Sequence, residues 1–167
     1  MRKDIRFITY AALVAALYVA FTWLSNLFGL ASGVIQVRLS EALTVLPAFF
    51  SAAIPGLTVG CVLANILTGC AMWDVVFGSL ATLLGALGTF LLRKKNKFLA
   101  PLPPIIANTL IVPPVLRFVY GAEDAYWFMT LTVCAGEIIS CGIIGMIVCY
   151  AAQRAGLDKL DSPKKEN

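Results

Sequence analysis

The chain has 167 residues, of which 60% are hydrophobic and 13% are charged, and its mean hydropathy is +0.87. Soluble domains average about 45–50% apolar and about 25% charged residues, so the composition excludes an ordinary soluble domain and indicates one integral membrane domain. The net charge of +4 does not predict a nucleic-acid partner, because membrane topology accounts for the positions of the basic residues.

Residues for catalysis or metal binding are scarce. Histidine is absent, which excludes Ser-His and Cys-His catalytic pairs and removes the commonest metal ligand. The five cysteines form no C-x-x-C pair and lie in apolar runs, as small buried side chains do. No phosphate-binding G-x-x-x-x-G-K-[ST] loop occurs. We therefore expect no enzyme activity, no metal site, no cofactor and no ATP hydrolysis by this chain.

The first apolar stretch runs from Ile5 to about Leu30. It is longer than the roughly 7–15 apolar residues of a signal peptide, so we expect a retained membrane span. Small residues recur on it at a spacing of four, which allows another helix to approach closely. These residues are Ala11 and Ala15 in one set, and Ala12, Ala16 and Ala20 in the other. The pattern fits either packing within the bundle or an interface with a partner.

Two short helices are predicted next. The first begins at Ser40, a good N-cap, with Glu41 in its first turn, and ends near Ala52. A Pro-Gly turn at positions 55 and 56 leads into another, which reaches about Thr68. About 13 residues span roughly 20 Å, which is less than the roughly 30 Å of a hydrocarbon core. We expect these helices to be tilted, to extend into loops, or to form a broken pair that lines a cavity.

Three further spans complete an all-α, six-helix transmembrane bundle over residues 1–153, followed by a polar cytoplasmic tail at residues 154–167. They run from Trp73 to Leu92, from about Leu99 past the two prolines at 113 and 114, and from Tyr126 to about Gln153. Six spans place both termini on one side, and that side receives 11 of the 13 basic residues, the exceptions being Arg38 and Arg117. The positive-inside rule therefore predicts that both termini are cytoplasmic.

Polar side chains within the spans are the candidates for binding a small molecule. An ionisable group at a helix centre in the membrane costs roughly 2.5–3.5 kcal/mol, so its presence indicates function. The candidates lie in the outer half or the middle of the membrane: Arg38, Glu41, Asn65, Asp74, Asn108 and Glu137. Three aromatic residues on the same side suit either a flat ligand or an interfacial belt: Phe77, Tyr126 and Trp127. Other interpretations are an ion pair at spacing i, i+3 for the first two residues and helix-joining hydrogen bonds for the two amides.

Four sequence blocks resemble the QueT family: VRLSEALTVLP, AIPGLTVGCVLANIL, DVVFGSLATLLGALGT and LAPLPPIIANTLIV. The resemblance extends from about Val37 to Gly145. It implies a multi-pass protein of the prokaryotic plasma membrane, the substrate-binding (S) component of an energy-coupling-factor transporter that imports queuosine precursors. Such a component captures a 7-deazaguanine base outside the cell and works with a membrane-embedded coupling subunit and two cytoplasmic ATPases. The resemblance also implies that the alanine-rich face of the first helix docks the coupling subunit.

The candidate residues suit the chemistry of such a base. A 7-deazaguanine presents a ring N–H beside an amino group, and one carboxylate accepts both. We expect Glu137 to accept this edge, since no basic residue is near it in sequence, and Asn65 or Asn108 to donate to the carbonyl. Glu41 and Asp74 suit the ammonium of an aminomethyl derivative. The alternative function is a stand-alone, proton-coupled carrier of a small polar or cationic solute with Glu137 as its proton site, although the spans do not divide into matching inverted halves.

Overall fold

The computed structural model describes residues 2–31 and 35–160, with side chains from Asp4 onward. Within these ranges the fold is entirely helical. It consists of a ten-residue 3-10 helix at Leu39–Ala48, called the short helix below, five longer helices, and two three-residue 3-10 turns at Lys97–Leu99 and Leu157–Lys159. The longer helices are α1 (Arg2–Leu27), α2 (Ala53–Leu67), α3 (Met72–Leu92), α4 (Leu102–Phe118) and α5 (Tyr126–Arg154). The six-helix, all-α prediction is therefore confirmed, with boundaries close to those expected.

In the described part of the chain, four apolar segments are long enough to cross a membrane. They are Asp4–Leu27, Met72–Leu92, Lys97–Phe118 and Tyr126–Arg154, with 24, 21, 22 and 29 residues. The short helix and α2 have 10 and 15 residues and fall below a membrane-spanning length. The bundle thus has four full-length helices and one shorter pair.

The short helix lies in the centre of the bundle, and every residue from Ser40 to Ala48 is buried. It is 3-10 rather than α-helical, and it ends four residues earlier than Ala52, the predicted end. Ser40 is not its N-cap, because the helix begins one residue earlier and the Ser40 hydroxyl accepts a hydrogen bond from Thr22. Irregular backbone at membrane depth is tolerated where it is buried in protein, as it is here.

The proline and glycine at positions 55 and 56 lie inside α2 and not in a turn before it. Proline is tolerated in a first helical turn because its missing N–H would have no intrahelical partner there. Gly56 and Gly60 instead allow α1 and α2 to touch. A Cβ at Gly56 would lie 2.6 Å from the backbone oxygen of Ala11, and one at Gly60 would lie 3.0 Å from Ala15 Cα. Small residues are what such close packing requires.

The two ends of the bundle differ in composition. At one end, Lys97 lies 3.7 Å from Asp158, beyond α5, and 4.7 Å from the ring centre of Phe49. This end carries the basic loop between α3 and α4. At the opposite end, the hydroxyl of Tyr120, just after α4, contacts Asp74 at the start of α3. The polar candidate residues face this second end.

Helix α5 changes its winding in the middle. Residues Ile138–Ile144 form a π-helical segment between two α-helical parts, and it begins directly after Glu137. Gly136, in the preceding turn, allows the loop before the short helix to pack closely, because a Cβ there would lie 2.2 Å from the Gln36 carbonyl oxygen. Single-turn π-bulges inside α-helices are often found at functional sites.

Candidate functional site

A cavity of about 720 Å³, called the outer chamber here, opens at the end of the bundle away from the basic loop. Three of the predicted residues line its wall: Arg38 from just before the short helix, Asn65 from α2 and Asp74 from α3. The other lining residues come from α1, α2, α4 and the connecting segments: Thr22, Trp23, Asn26, Leu27, Ala31, Gln36, Leu67, Thr68, Cys70, Val112, Leu116 and Tyr120.

A second space of about 30 Å³, the inner pocket, adjoins the outer chamber. The two cavities share four lining residues: Gln36, Arg38, Asp74 and Val112. The inner pocket adds Glu41, Asn108 and Glu137, the three predicted residues that do not reach the chamber. The rest of its wall consists of Cys61, Gly78, Thr82 and Val133. The structure therefore brings all six polar candidates to one pair of connected cavities.

Glu41 is held by the protein on both of its carboxylate oxygens. The Tyr18 hydroxyl donates to Oε1, and Asn108 Nδ2 lies 3.5 Å from Oε2. The side chain is only 3% exposed. A buried carboxylate requires such partners because desolvation of its charge is costly. Glu41 thus has a fixed position in the wall of the inner pocket.

Glu137 is half-buried and retains more free acceptor capacity. Its Oε2 accepts from the Cys141 thiol at 3.1 Å, one helical turn further along α5. A thiol is a weak donor, which leaves most of the carboxylate available to other donors. The ligand atoms of Glu41, Glu137 and Cys141 lie within 4.8 Å of one another, a spacing that a metal ion can bridge. The Cys141 sulfur also lies 3.4 Å from the backbone oxygen of Glu41.

Arg38 stands at the junction of the two cavities and is half-buried. Its backbone N–H donates to Ser140 Oγ at 3.1 Å, which anchors the residue to α5. Its guanidinium forms no ion pair within 4.0 Å of a carboxylate in the described chain, so the pairing with Glu41 suggested by their spacing is not formed. The guanidinium therefore offers donors to the space between the chamber and the pocket.

Asp74 and Asn65 border the chamber from α3 and α2. Tyr120 donates to Asp74 Oδ2 at 3.3 Å while its oxygen accepts from the Ala71 N–H at 3.1 Å. Partial burial raises the pKa of the Tyr120 phenol, which keeps it protonated as a donor. Asn65 is 2% exposed, and its amide nitrogen lies 3.6 Å from the Cys61 sulfur, a weak acceptor. Its amide is therefore weakly engaged by the protein.

The predicted aromatic residues lie elsewhere. Phe77, Tyr126 and Trp127 line neither cavity and are 37%, 49% and 66% exposed. Phe77 stacks on Trp73 with ring centres 6.0 Å apart. Their exposure on an apolar bundle is typical of an interfacial belt. Trp23 and Tyr120 are the aromatic residues that line the chamber.

The alanines of α1 divide between two faces. Ala11 and Ala15 pack against α2, where Gly56 and Gly60 receive them. Ala12, Ala16 and Ala20 are exposed on another face of the helix. The first pair therefore serves packing within the bundle, and the second set is free to contact another protein or lipid.

Tyr18 was not predicted as part of the site. A single tyrosine within an apolar span is usually a core residue, and the sequence gives no indication of its distance from Glu41. One signal was present: Tyr18, Thr22 and Ser25 recur at helical spacing and form one polar stripe on α1.

Comparisons with known proteins agree with these features. The model of the QueT transporter family matches residues 8–154. A protein from Lactococcus lactis subsp. cremoris (strain MG1363), named queuosine precursor transporter QueT, is 41% identical over 73 residues. That alignment covers 43% of this chain and 42% of the relative, less than half of each. No solved structure gives a significant match. The family match confirms the resemblance found in the sequence: the chain belongs to the QueT transporter family, a family of membrane transporters and not of enzymes.

Proposed function

We propose that this protein is the substrate-capture subunit of an energy-coupling-factor transporter and binds a queuosine precursor, a 7-deazaguanine base. The observation that carries the proposal is the outer chamber, whose polar groups converge where it meets the inner pocket. Small-molecule sites have volumes of about 300–1,000 Å³ and combine an apolar lining with a few placed polar groups. The chamber, at about 720 Å³, fits this description. Family membership and the name of the bacterial relative support the choice of ligand.

The chamber opens to the outside in this proposal. Basic residues gather at the opposite end of the bundle, which the positive-inside rule places in the cytoplasm of a prokaryotic cell. Both termini, and a polar tail at residues 154–167 that follows the membrane domain at residues 1–153, would then be cytoplasmic. Of the residues behind this argument, Lys164 and Lys165 lie outside the described part of the chain.

Recognition of the base follows from the placement of donors and acceptors. The flat ring occupies the outer chamber, and its N–H and amino edge points into the inner pocket toward Glu137, the acid with free acceptor capacity. Arg38 and the weakly engaged amide of Asn65 supply donors to the carbonyl. Asp74, at the chamber wall, faces an aminomethyl ammonium. Glu41 and Asn108 complete the pocket, and the Asn108 amide donates to Glu41 Oε2 at 3.5 Å.

Docking of a coupling subunit is assigned to the exposed alanines of α1: Ala12, Ala16 and Ala20. Small residues at a spacing of four let a second helix approach closely in the membrane. The sequence has no phosphate-binding loop, so ATP hydrolysis comes from partner ATPases that the coupling subunit brings. Ala11 and Ala15 are not part of this face, because they pack α1 against α2.

The decisive experiment uses the purified protein. Titration with adenine, guanine, 7-deazaguanine and its 7-cyano and 7-aminomethyl derivatives should show tight binding of the deazaguanines and weaker binding of adenine. Liposomes that contain this protein alone should show no active uptake, whereas co-reconstitution with the coupling subunit and ATPases should give ATP-driven uptake. Uptake by the protein alone, driven by a proton gradient, would favour the carrier alternative.

Replacement of Ala16 by Trp tests the docking face. ATP-driven uptake should be lost while binding by the isolated protein is retained, because the bulky ring blocks helix approach but lies outside both cavities. Leu110→Trp is the control, since Leu110 is 66% exposed on a different helix, α4, and lines neither cavity. Equal uptake by both variants would exclude this face.

Cysteine labelling tests the orientation, in a background where the two half-buried native cysteines, Cys70 and Cys134, are replaced by serine. A cysteine at Lys95 should react only from the cytoplasm, and one at Glu123 only from outside. Reaction of both from one side would contradict the six-span arrangement.

A further inference from the structure

Three side chains of α1 form hydrogen bonds to the beginning of the short helix. The Tyr18 hydroxyl donates to Glu41 Oε1, and Thr22 Oγ1 lies 2.8 Å from Ser40 Oγ. The Leu39 N–H donates to Ser25 Oγ at 2.8 Å. We call Tyr18, Thr22 and Ser25 the polar ladder. Their spacing of four and three residues places them on one face of α1.

The polar ladder is withdrawn from water. Tyr18, Thr22 and Ser25 are 1%, 6% and 0% exposed. A buried hydroxyl without a partner is costly, and water cannot replace the partners of Tyr18 and Ser25, which line neither cavity, whereas Thr22 borders the outer chamber. The ladder therefore fixes the distance and rotation of α1 relative to the short helix.

The short helix needs such an anchor. A 3-10 helix has poorer hydrogen-bond geometry than an α-helix, and runs of ten residues are uncommon. No side chain caps its first turn. The ladder contacts Leu39, Ser40 and Glu41, which directly follow Arg38 in the chain. Arg38 and Glu41 both line the inner pocket. The ladder thus determines where these two charged groups stand relative to a ligand.

We propose that Tyr18 is a positioning residue for substrate recognition, which acts by holding the Glu41 carboxylate in the wall of the inner pocket. Tyr18 itself lines neither cavity. Asn108 holds the other carboxylate oxygen at 3.5 Å, a longer contact, so Tyr18 is the principal anchor. This inference rests on the proposed function, because it concerns recognition of the same ligand.

The test measures the dissociation constant of 7-aminomethyl-7-deazaguanine for purified variants. Tyr18→Phe removes one oxygen and should weaken binding about tenfold. Tyr10→Phe is the matched control on the same helix, since its ring packs against Phe50 with centres 6.1 Å apart, away from both cavities, and should leave the affinity unchanged.

A double-mutant cycle distinguishes positioning from a general structural role. If Tyr18 acts through the Glu41 carboxylate, Tyr18→Phe should weaken binding less than threefold in a Glu41→Gln background. An equal tenfold loss in both backgrounds would overturn the proposal. Should Tyr18→Phe fail to fold, Glu41→Gln alone replaces it, and unchanged affinity in that variant would overturn the proposal, because Tyr18 is proposed to act only through that carboxylate.

The possible outcomes distinguish a failure of this inference from a failure of the proposed function. Wild-type protein that binds the probe, together with a Tyr18→Phe variant that binds equally well, would refute the role of Tyr18 alone. Wild-type protein that binds none of the deazaguanine probes would refute the proposed function and this inference with it.

Discussion

The outer chamber and the inner pocket adjoin each other but differ in size and in chemistry. The chamber has about 720 Å³ and mixes apolar side chains such as Trp23 and Leu67 with polar ones. The pocket has about 30 Å³, and two carboxylates, Glu41 and Glu137, line it. A cavity needs about 10–15 Å³ to hold a single water, so the inner pocket is too small for a ring. The chamber is therefore large enough for the proposed ligand, whereas the pocket has room only for contact with an edge of that ligand.

The two carboxylates of the inner pocket also differ in the donors that compensate their charge. Glu41 has protein donors at both oxygens, one of them the Tyr18 hydroxyl, whereas the donor that contacts Glu137 Oε2 is the weaker Cys141 thiol. An acid that lacks strong donors from the protein is the one whose desolvation a ligand can compensate. The two acids therefore have different roles, although they line the same pocket.

Among the substitutions that test this difference between the two acids, Glu137→Gln should change ligand affinity the most. The substitution keeps the shape but removes the charge and turns one acceptor toward the ligand into a donor. Each charge-assisted hydrogen bond contributes about 1.5–3 kcal/mol, so binding of guanine-like bases should weaken roughly 10²-fold or more. Titration of the purified variant with 7-deazaguanine measures this.

The control for Glu137→Gln is Glu123→Gln, which makes the same chemical change in an exposed residue of the loop before α5. It should bind like the wild type. Unchanged affinity in Glu137→Gln itself would make that acid structural, and the acid that contacts the base should then be sought at Glu41.

The helices were predictable because each long span is a continuous apolar run with clear ends. The span predicted from Trp73 to Leu92 begins one residue earlier, and the one from Tyr126 ends one residue later. The short helix was placed correctly, but its 3-10 winding was not predicted. Hydrophobic pattern alone does not specify it, since contacts with α1 and α5 support this backbone.

The candidate site was predictable as a set of residues but not as a geometry. Polar side chains in an apolar chain identify themselves, and all six of those predicted line the two cavities. Their division between chamber and pocket depends on how the helices pack. The same holds for Tyr18, whose partner Glu41 is 23 residues away in sequence. The aromatic residues were harder to assign, because the same residue types occur in interfacial belts and in sites that stack on a ligand.

Gly78→Ala reduces the inner pocket directly and should have the next largest effect. A Cβ at Gly78 would lie 3.2 Å from Asn65 Nδ2 and 3.8 Å from Asp74 Oδ1. Overpacking of a well-packed site costs about 1–3 kcal/mol, so we expect the affinity for 7-deazaguanine to fall about tenfold. If the ligand stayed entirely within the chamber, the loss would be less than twofold.

Gly142→Ala is the matched control for Gly78→Ala. It adds the same methyl group within α5, where the nearest atom is 3.7 Å away and neither cavity is involved. Its affinity should equal that of the wild type, and a similar loss in both variants would mean that added volume acts through general packing.

Tyr120→Phe changes only the chamber wall and should have the smallest effect. It removes the donor to Asp74 and the acceptor for the Ala71 N–H. Because Tyr120 is 48% exposed, solvent replaces part of both bonds, and the loss should be near the lower end of about 0.5–1.5 kcal/mol, or roughly threefold in affinity. An aminomethyl ligand should be affected more than 7-deazaguanine, since the proposed binding mode places the substituent near Asp74. Tyr126→Phe, 49% exposed and outside both cavities, is the control. Equal losses for both ligands would place the substituent away from Asp74.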